Sequence, residues 1–390
     1  MSKHLARIAV TILFFFFGGI SASWASRIPT IKEAFGVNDS AWGFVLLYIS
    51  IGTLITLPIA GKIIDKLGSK NATLIFLLTY FILLIGIGYW DVLWQLKLNL
   101  VMFGAISNIT NISINTQAIK VSKQYKGQII GSLHGTWSIG GFAASWLGAE
   151  MISSYVPPIN HFVYYSSVGI FFSILLFKHL VPEDKVPQTD SPIKESKKGF
   201  QLPDKNLAML GLLAFFAMVA EGMMTDWSSE YMKHVTLAPI QLVGYGLTAY
   251  MFAMASGRFI SDFTVRRFGE QKTLLFCGIL LFIGLGASVL FPSVYSTIIS
   301  FMIVGLGVSA VVPMCYNLAG HNKSMAPQQA LTLVTSIGFI GFFLGPPVIG
   351  FIAQHSSLKT AFAIVALFGL AISVLSRFIV IESKEINISQ

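Results

Sequence analysis

The sequence predicts an all-α membrane protein with twelve transmembrane helices in two pseudo-symmetric six-helix halves, and three observations carry that prediction. Hydrophobic residues make up 54% of 390 positions and charged residues only 11%, against roughly a quarter charged in an average soluble domain. The excess is spread along the whole chain, with a mean hydropathy of +0.73, in runs long enough to cross a bilayer as helices that satisfy their own backbone. Segments of the first half also recur in the same order about 200 residues later, the mark of a duplicated unit.

The apolar runs place spans near 7–27, 41–64, 71–90, 96–119, 128–152, 159–180, 206–230, 240–263, 272–291, 294–318, 328–354 and 359–380. The first opens on Lys3, His4 and Arg7 and then has no charge from Ile8 to Ile20, which is also the layout of a cleavable secretory signal. Removing it would leave eleven spans and strand the echo between SWASR (23–27) and DWSSE (226–230). It is therefore read as a helix whose end carries Trp24 and Arg27.

The second span ends in GKIIDKLG (61–68), which recurs loosely as GRFISDFTVRRFG (257–269) after the eighth. The fourth carries Gly104, Asn108, Asn111 and Asn115 at i, i+4, i+7 and i+11, a single stripe; Asn115 falls near Asn317 in the repeat. Such amides either hold helices together or offer donors and acceptors to a polar solute. On the fifth, His134, Trp137, Ser138 and Gly141 share a face, where the histidine is either a packing residue or a ligand to solute.

After the sixth span, the polar stretch 181–205 reads as a flexible linker between an N-terminal half, 1–180, and a C-terminal half, 206–390. Glu221 lies roughly 22 Å into the seventh span, where a carboxylate is costly unless it faces a cavity, finds a partner or takes a proton. Asp226 and Glu230 are one turn apart near that helix's end, and the repeat sets Arg27 opposite Glu230. They are either a solvated helix end or a gate that Arg27 closes. Trp24 and Trp227 are either an interfacial belt or a stacking pair for solute. In the eleventh span, Gly338, Gly341, Gly345-Pro346-Pro347 and Gly350 predict a kinked, closely packed helix.

With loops assigned alternately to two sides, only Arg27, Lys32, Lys97, Lys233 and Lys359 of the 26 Lys and Arg fall on the side away from the termini. By the positive-inside rule both termini are cytoplasmic. The basic residues form no face interleaved with aromatics, so the net charge of +9 does not point to nucleic acid. No phosphate loop and no cluster of nucleophile, base and orienting group points to an enzyme. Cys277 and Cys315 stand alone, and neither a metal nor a cofactor is expected.

Gly61, Asp65, Lys66 and Gly68 match the loop signature of the major facilitator superfamily, and Gly257, Arg258 and Asp262 read as its degenerate second copy. The chain resembles that family over its whole length, and its WASRIP and EGMMTDWSSE stretches resemble the bacterial branch near the fucose permeases. The resemblance implies a secondary transporter in the bacterial inner membrane, surrounded by lipid and working as a monomer by rocking of two halves about a central site. It implies a proton-coupled symporter for a small polar solute, a sugar or related molecule; the other reading is a proton-driven efflux antiporter for amphipathic compounds. Candidate proton sites are Glu221 and Asp226. Candidate solute ligands are Asn108, Asn111, Asn115, His134, Trp137, Asn317, Trp24 and Trp227. Arg27, Asp226 and Glu230 form the expected extracellular gate, and the two Gly-Asp segments form the cytoplasmic one.

Overall fold

A computed structural model describes residues 2–125, 129–182, 204–322 and 325–380 of the chain, so most of the expected linker lies outside the described residues. The first half contains α1 (Lys3–Ser26), α2 (Ile28–Phe35), α3 (Asp39–Thr56), α4 (Ala60–Leu67), α5 (Ser69–Tyr89), α6 (Leu93–Ser122), α7 (Ile130–Ser153) and α8 (Pro158–Leu176). The second contains α9 (Lys205–His234), α10 (Ile240–Val243), α11 (Tyr245–Phe268), α12 (Glu270–Leu290), α13 (Val294–Val308), α14 (Val311–Gly320), α15 (Pro327–His355) and α16 (Leu358–Ser376).

Twelve membrane crossings result, because α3 with α4 and α13 with α14 each make one broken span. Side-chain caps start several of them: Asn38 accepts from the Ala41 amide at 2.8 Å, Asp204 from Leu207 at 2.7 Å and Ser357 from Thr360 at 3.0 Å. Nine crossings among the described residues are apolar enough to be recognised by composition alone. The exceptions, α6, α7 and α11, are 30, 24 and 24 residues long; they carry the Asn stripe, the His134 face and Arg258, so their low hydropathy reflects an interior that is not lipid.

The halves share one packing scheme. α1 packs on α7, α3 and α5 on α6, and α5 on α8; correspondingly α9 packs on α15, α11 and α12 on α13, and α12 on α16. Element starts give the register of the repeat: Asp39 answers Ile240, Ser69 answers Glu270 and Leu93 answers Val294. The same offset carries Gly68 (φ 78°) onto Gly269 (φ 82°), each with a left-handed backbone at the turn between two spans. It carries Gly36 (φ 61°) onto Leu237 (φ 54°), so the second half repeats a glycine conformation with a leucine.

This register corrects two expectations. SWASR over DWSSE is two residues out, so Trp24 and Trp227 are not equivalent positions, and Lys32 answers Lys233. Gly257 falls opposite Thr56 instead of Gly61; it and Arg258 lie inside α11, well away from the loop. Loosely matched Gly and Arg residues fix no register, whereas the left-handed turns at Gly68 and Gly269 do.

Between the halves, α3 meets α15 and α7 meets α11. On the side away from the N terminus, here the far side, backbones almost touch: a Cβ on Gly43 would lie 2.5 Å from the Pro346 oxygen, and one on Gly350 2.5 Å from the Asp39 oxygen. Pro346 and Pro347 are contained within the continuous α15. The ion pairs Lys32–Glu230 and Lys233–Glu33 and the Asp39–Gln354 and Tyr245–Glu150 hydrogen bonds all join the halves on this far side, opposite the near side of the N terminus. The molecule is closed on its far side.

Candidate functional site

Between the halves lies a cavity of about 680 Å³ whose lining draws on α1, α3, α6 and α7 from one half and α9, α11, α14 and α15 from the other. Its first-half wall carries the polar Ser21, Thr53, Ser107, Asn108 and Asn111 beside Phe14, Phe17 and Trp137; its second-half wall is largely aromatic, with Tyr316, Phe339, Phe342 and Phe343. Glu221, Arg258 and His134 also line it.

Arg258 joins these walls. Its Nη1 donates to Ser138 Oγ at 2.7 Å across the halves, and Ser138 Oγ in turn donates to the His134 carbonyl at 3.3 Å. The guanidinium carbon sits 5.2 Å from the Trp137 ring centroid, a cation–π distance. Nη2 lies 3.7 Å from Glu221 Oε1, an ion pair too long for a hydrogen bond. Arg258 is about 15 Å from the near end of α11. Its distance before the turn at Gly269 is the sequence signal for that depth, one that the loop-motif match hides.

The Asn stripe divides. Asn108 donates to Thr56 Oγ1 at 3.1 Å, and Asn111 accepts from Asn115 Nδ2 at 2.8 Å; Asn108 and Asn111 line the cavity, while Asn115 braces Asn111 from outside the lining. Asn317 is exposed and donates to Glu270 at 3.2 Å. It is no part of the cavity; Tyr316, its neighbour, is. Gly104 packs backbone to backbone against Ile49, so it belongs to a helix contact.

Trp24 and Trp227 are buried, the first 6.2 Å from the Trp42 ring and the second beneath Lys32 Nζ at 5.8 Å. Neither reaches the cavity. His134 does, packed edge-on to Phe14 at 5.4 Å.

The far-side seal is ionic, but not through Arg27. Arg27 is 2% exposed and its Nε donates to His161 Nδ1 of α8 at 3.1 Å, inside its own half. Glu230 instead takes Lys32 Nζ at 2.7 Å, and Lys32 also pairs with Asp39. Lys233, the repeat equivalent of Lys32, pairs with Glu33 across the same seam, and Tyr245 hydrogen-bonds Glu150 nearby. Arg27 is turned away because α1 ends at Ser26 and the chain restarts as α2 with Pro29 in its first turn. That break points Lys32, one helical turn further on, at the partner half. Asp226 is half-buried, pairs with none of the described residues and lies outside the cavity lining.

Burial draws the Lys32 ammonium down, but Glu230 and Asp39 outweigh burial and hold its pKa above the usual lysine value. A hydrogen bond from Lys233 and its charge hold the Glu33 carboxyl below the usual range. On the near side Gly61, Asp65 and Lys66 are exposed, Gly68 makes its turn, and Asp65 has no partner in the other half among the described residues. Asp262 is exposed and its carbonyl accepts from Arg266 at 3.1 Å, while Gly257 packs on Ser309.

The family model described as Major Facilitator Superfamily matches residues 9–235 and 207–387. An uncharacterized MFS-type transporter of Yersinia pestis is 31% identical over 379 residues, with 94% of each chain covered. Among solved structures, the nucleoside transporter NupG superposes with a TM-score of 0.78 at 13% identity, covering 96% of this chain and 99% of that one. A D-xylose-proton symporter superposes with a TM-score of 0.76 at 13% identity, covering 97% of both. At such identity the likeness to the two structures is one of fold.

Proposed function

This chain belongs to the major facilitator superfamily, and from that premise we propose that it is a proton-coupled symporter of a small polar solute, held in the bacterial inner membrane with its near side cytoplasmic. The observation that carries the reading is Glu221, a carboxylate deep in a span, lining the central cavity beside Arg258 at 3.7 Å. A charge at that depth costs several kcal/mol unless paired or hydrated. A cavity that opens alternately to either side lets Glu221 load a proton from one and release it to the other, with Arg258 as the resident counter-charge.

Sugars and related molecules suit the wall of Asn108, Asn111, Ser107 and Thr53. The two solved neighbours are named for a nucleoside and for D-xylose with protons, which favours polar solutes over drugs. Glu33, Lys32, Glu230 and Lys233 close the extracellular side; Gly61, Asp65, Lys66 and Gly68 close the cytoplasmic side when the cavity faces out. The second reading, efflux of an amphipathic compound, is favoured by Phe339, Phe342 and Phe343 on the opposite wall.

Proteoliposomes with an imposed inward proton gradient test this against a panel of sugars, nucleosides, organic acids and cationic drugs. Gradient-driven accumulation of a polar solute is expected, with a loss of at least about tenfold in Glu221→Gln, in line with the contribution of one proton-transfer group. Absence of gradient-dependent flux, or undiminished flux in Glu221→Gln, would overturn it.

A further inference from the structure

Arg258 has more donors than the protein uses. Of the five N–H groups of a guanidinium, one bonds Ser138 Oγ at 2.7 Å, one leans on the Met254 sulfur at 3.8 Å, and one faces Glu221 at 3.7 Å without bonding it. Nε is buried and has no partner among the described residues. The side chain as a whole is 24% exposed where it lines the cavity, so a solute can reach a guanidinium that the protein leaves short of acceptors, and the acceptor that fits its fork is a carboxylate.

The charges in the cavity say when that acceptor is welcome. With Glu221 ionised, Glu221 and Arg258 cancel, and an added anion would bring unbalanced charge into a low-dielectric space. With Glu221 protonated, Arg258 stands alone and one negative charge balances it. The other titratable groups around Glu221 are His134 of α7, Tyr250 of α11 and Tyr316 of α14; α15 contributes only phenylalanines to this part of the lining. Around the rest of the solute, Asn108 Oδ1 and Asn111 Nδ2 have no protein partner among the described residues, so each offers one free end toward hydroxyl groups. Phe339 and Phe342 offer an apolar surface to the opposite face.

We infer that the solute is a small hydroxylated monocarboxylate whose carboxylate binds Arg258 and enters together with one proton on Glu221. The inference rests on the proton-symport reading and names the solute class at the same site. Its consequence is electroneutral symport, one proton with one negative charge, whereas a neutral sugar entering with a proton moves net charge.

Titration calorimetry on the purified full-length chain tests binding apart from transport, using gluconate, glucuronate, quinate and shikimate beside the neutral glucuronamide and glucitol. At least one monocarboxylate is expected to bind and the neutral compounds to bind at least tenfold more weakly, with close to one proton taken up per anion as read from buffers of different ionisation enthalpy. Once Glu221 is ionised, affinity should fall about tenfold per pH unit. Glu221→Gln should bind the same anion with no proton uptake and no pH dependence, and Arg258→Gln should lose about 30-fold or more. Arg258→Lys, which keeps the charge without the fork, should fall between.

Binding of none of the acids, equal binding of the neutral compounds, or proton uptake that survives in Glu221→Gln and vanishes in His134→Gln overturns the inference. Electrogenic uptake of glucitol overturns it while leaving proton symport standing. Anion binding that needs Arg258 in a protein without proton-gradient-driven flux retains the solute class and removes the symport reading.

Discussion

Lys32 Nζ lies 2.7 Å from Glu230 Oε2, and this contact joins the two halves on the far side of the molecule. The side chains are 10% and 2% exposed, so neither charge is easily rehydrated while the seam stays closed. Truncating one partner of such a pair costs about 2–5 kcal/mol. Lys32→Ala should therefore shift the chain toward a far-side-open form by that order, seen as a longer spin-label distance between the far ends of α3 and α15. Exchanging Lys32 and Glu230 should restore closure only in part, because Asp39 would then face a carboxylate; adding Asp39→Asn should complete it. Exchanging Arg27 and Glu230 should restore nothing.

Arg27 and His161 predict an asymmetry. The arginine has a neutral acceptor as its hydrogen-bond partner, and its Nη2 is buried without one. His161→Leu leaves a buried cation with no acceptor and should cost about 3 kcal/mol or more, whereas Arg27→Met removes the charge itself and should cost less. Thermal unfolding in detergent should show the larger fall in melting temperature for His161→Leu.

The pH dependence separates the Lys32 and Glu33 pairs of the seam from the cavity. Lys32 has its folded pKa raised, so its contribution is complete below the unfolded lysine value of about 10.4 and is lost only as pH rises through the folded value. Glu33 has its folded pKa lowered, so its contribution is present above about 4.3 and is lost as pH falls through the folded value. Neither window overlaps pH 5 to 9. The Lys32→Met/Glu230→Met protein should keep the wild-type midpoint in any transport profile over that range; a displaced midpoint would place the titrating group at the seam. The exposed Glu33–Lys233 pair should weaken further in about 1 M salt, where screening acts over roughly 3 Å.

Gly43 predicts a conformational block. Its absent side chain lets α3 approach Pro346 and Pro347 of α15, and a Cβ there would lie 2.5 Å from backbone oxygen with no flexible atom to yield. Gly43→Val should hold the far side open and abolish transport while the protein still folds, since the collision is between halves. Labelling of a cysteine placed in the far-side seam should rise severalfold. Gly104→Val meets Ile49 backbone within its own half and should instead reduce folded protein, as judged by recovery after size-exclusion chromatography.

Much of this architecture is legible in the residues one at a time. Runs of about 20 apolar residues have no other stable form in lipid than helices, so the span count follows from length and composition. The cost of a charge in hydrocarbon singled out Glu221 from depth alone, and Asn108 and Asn111 from their stripe. Pairings between distant charges are another matter. Whether Arg27 or Lys32 meets Glu230 depends on the break before Pro29, and a shift of one residue turns a helical side chain by about 100°. Composition cannot see such a rotation, and the two-residue slip in SWASR over DWSSE reversed the face on which Trp24 was expected.

The sequence by itself determined the membrane, the spans, the duplication and the buried carboxylate, because each follows from local hydropathy or from similarity along the chain. The tertiary structure alone decided that Arg258 faces Glu221 inside the cavity, that Lys32 seals the far side and that Asn317, Trp24 and Trp227 stand outside the cavity. The first two outcomes depend on how two halves about 200 residues apart in sequence are rotated against each other, which close packing at residues such as Gly43 and Gly350 sets; the last depends on helical register within each half.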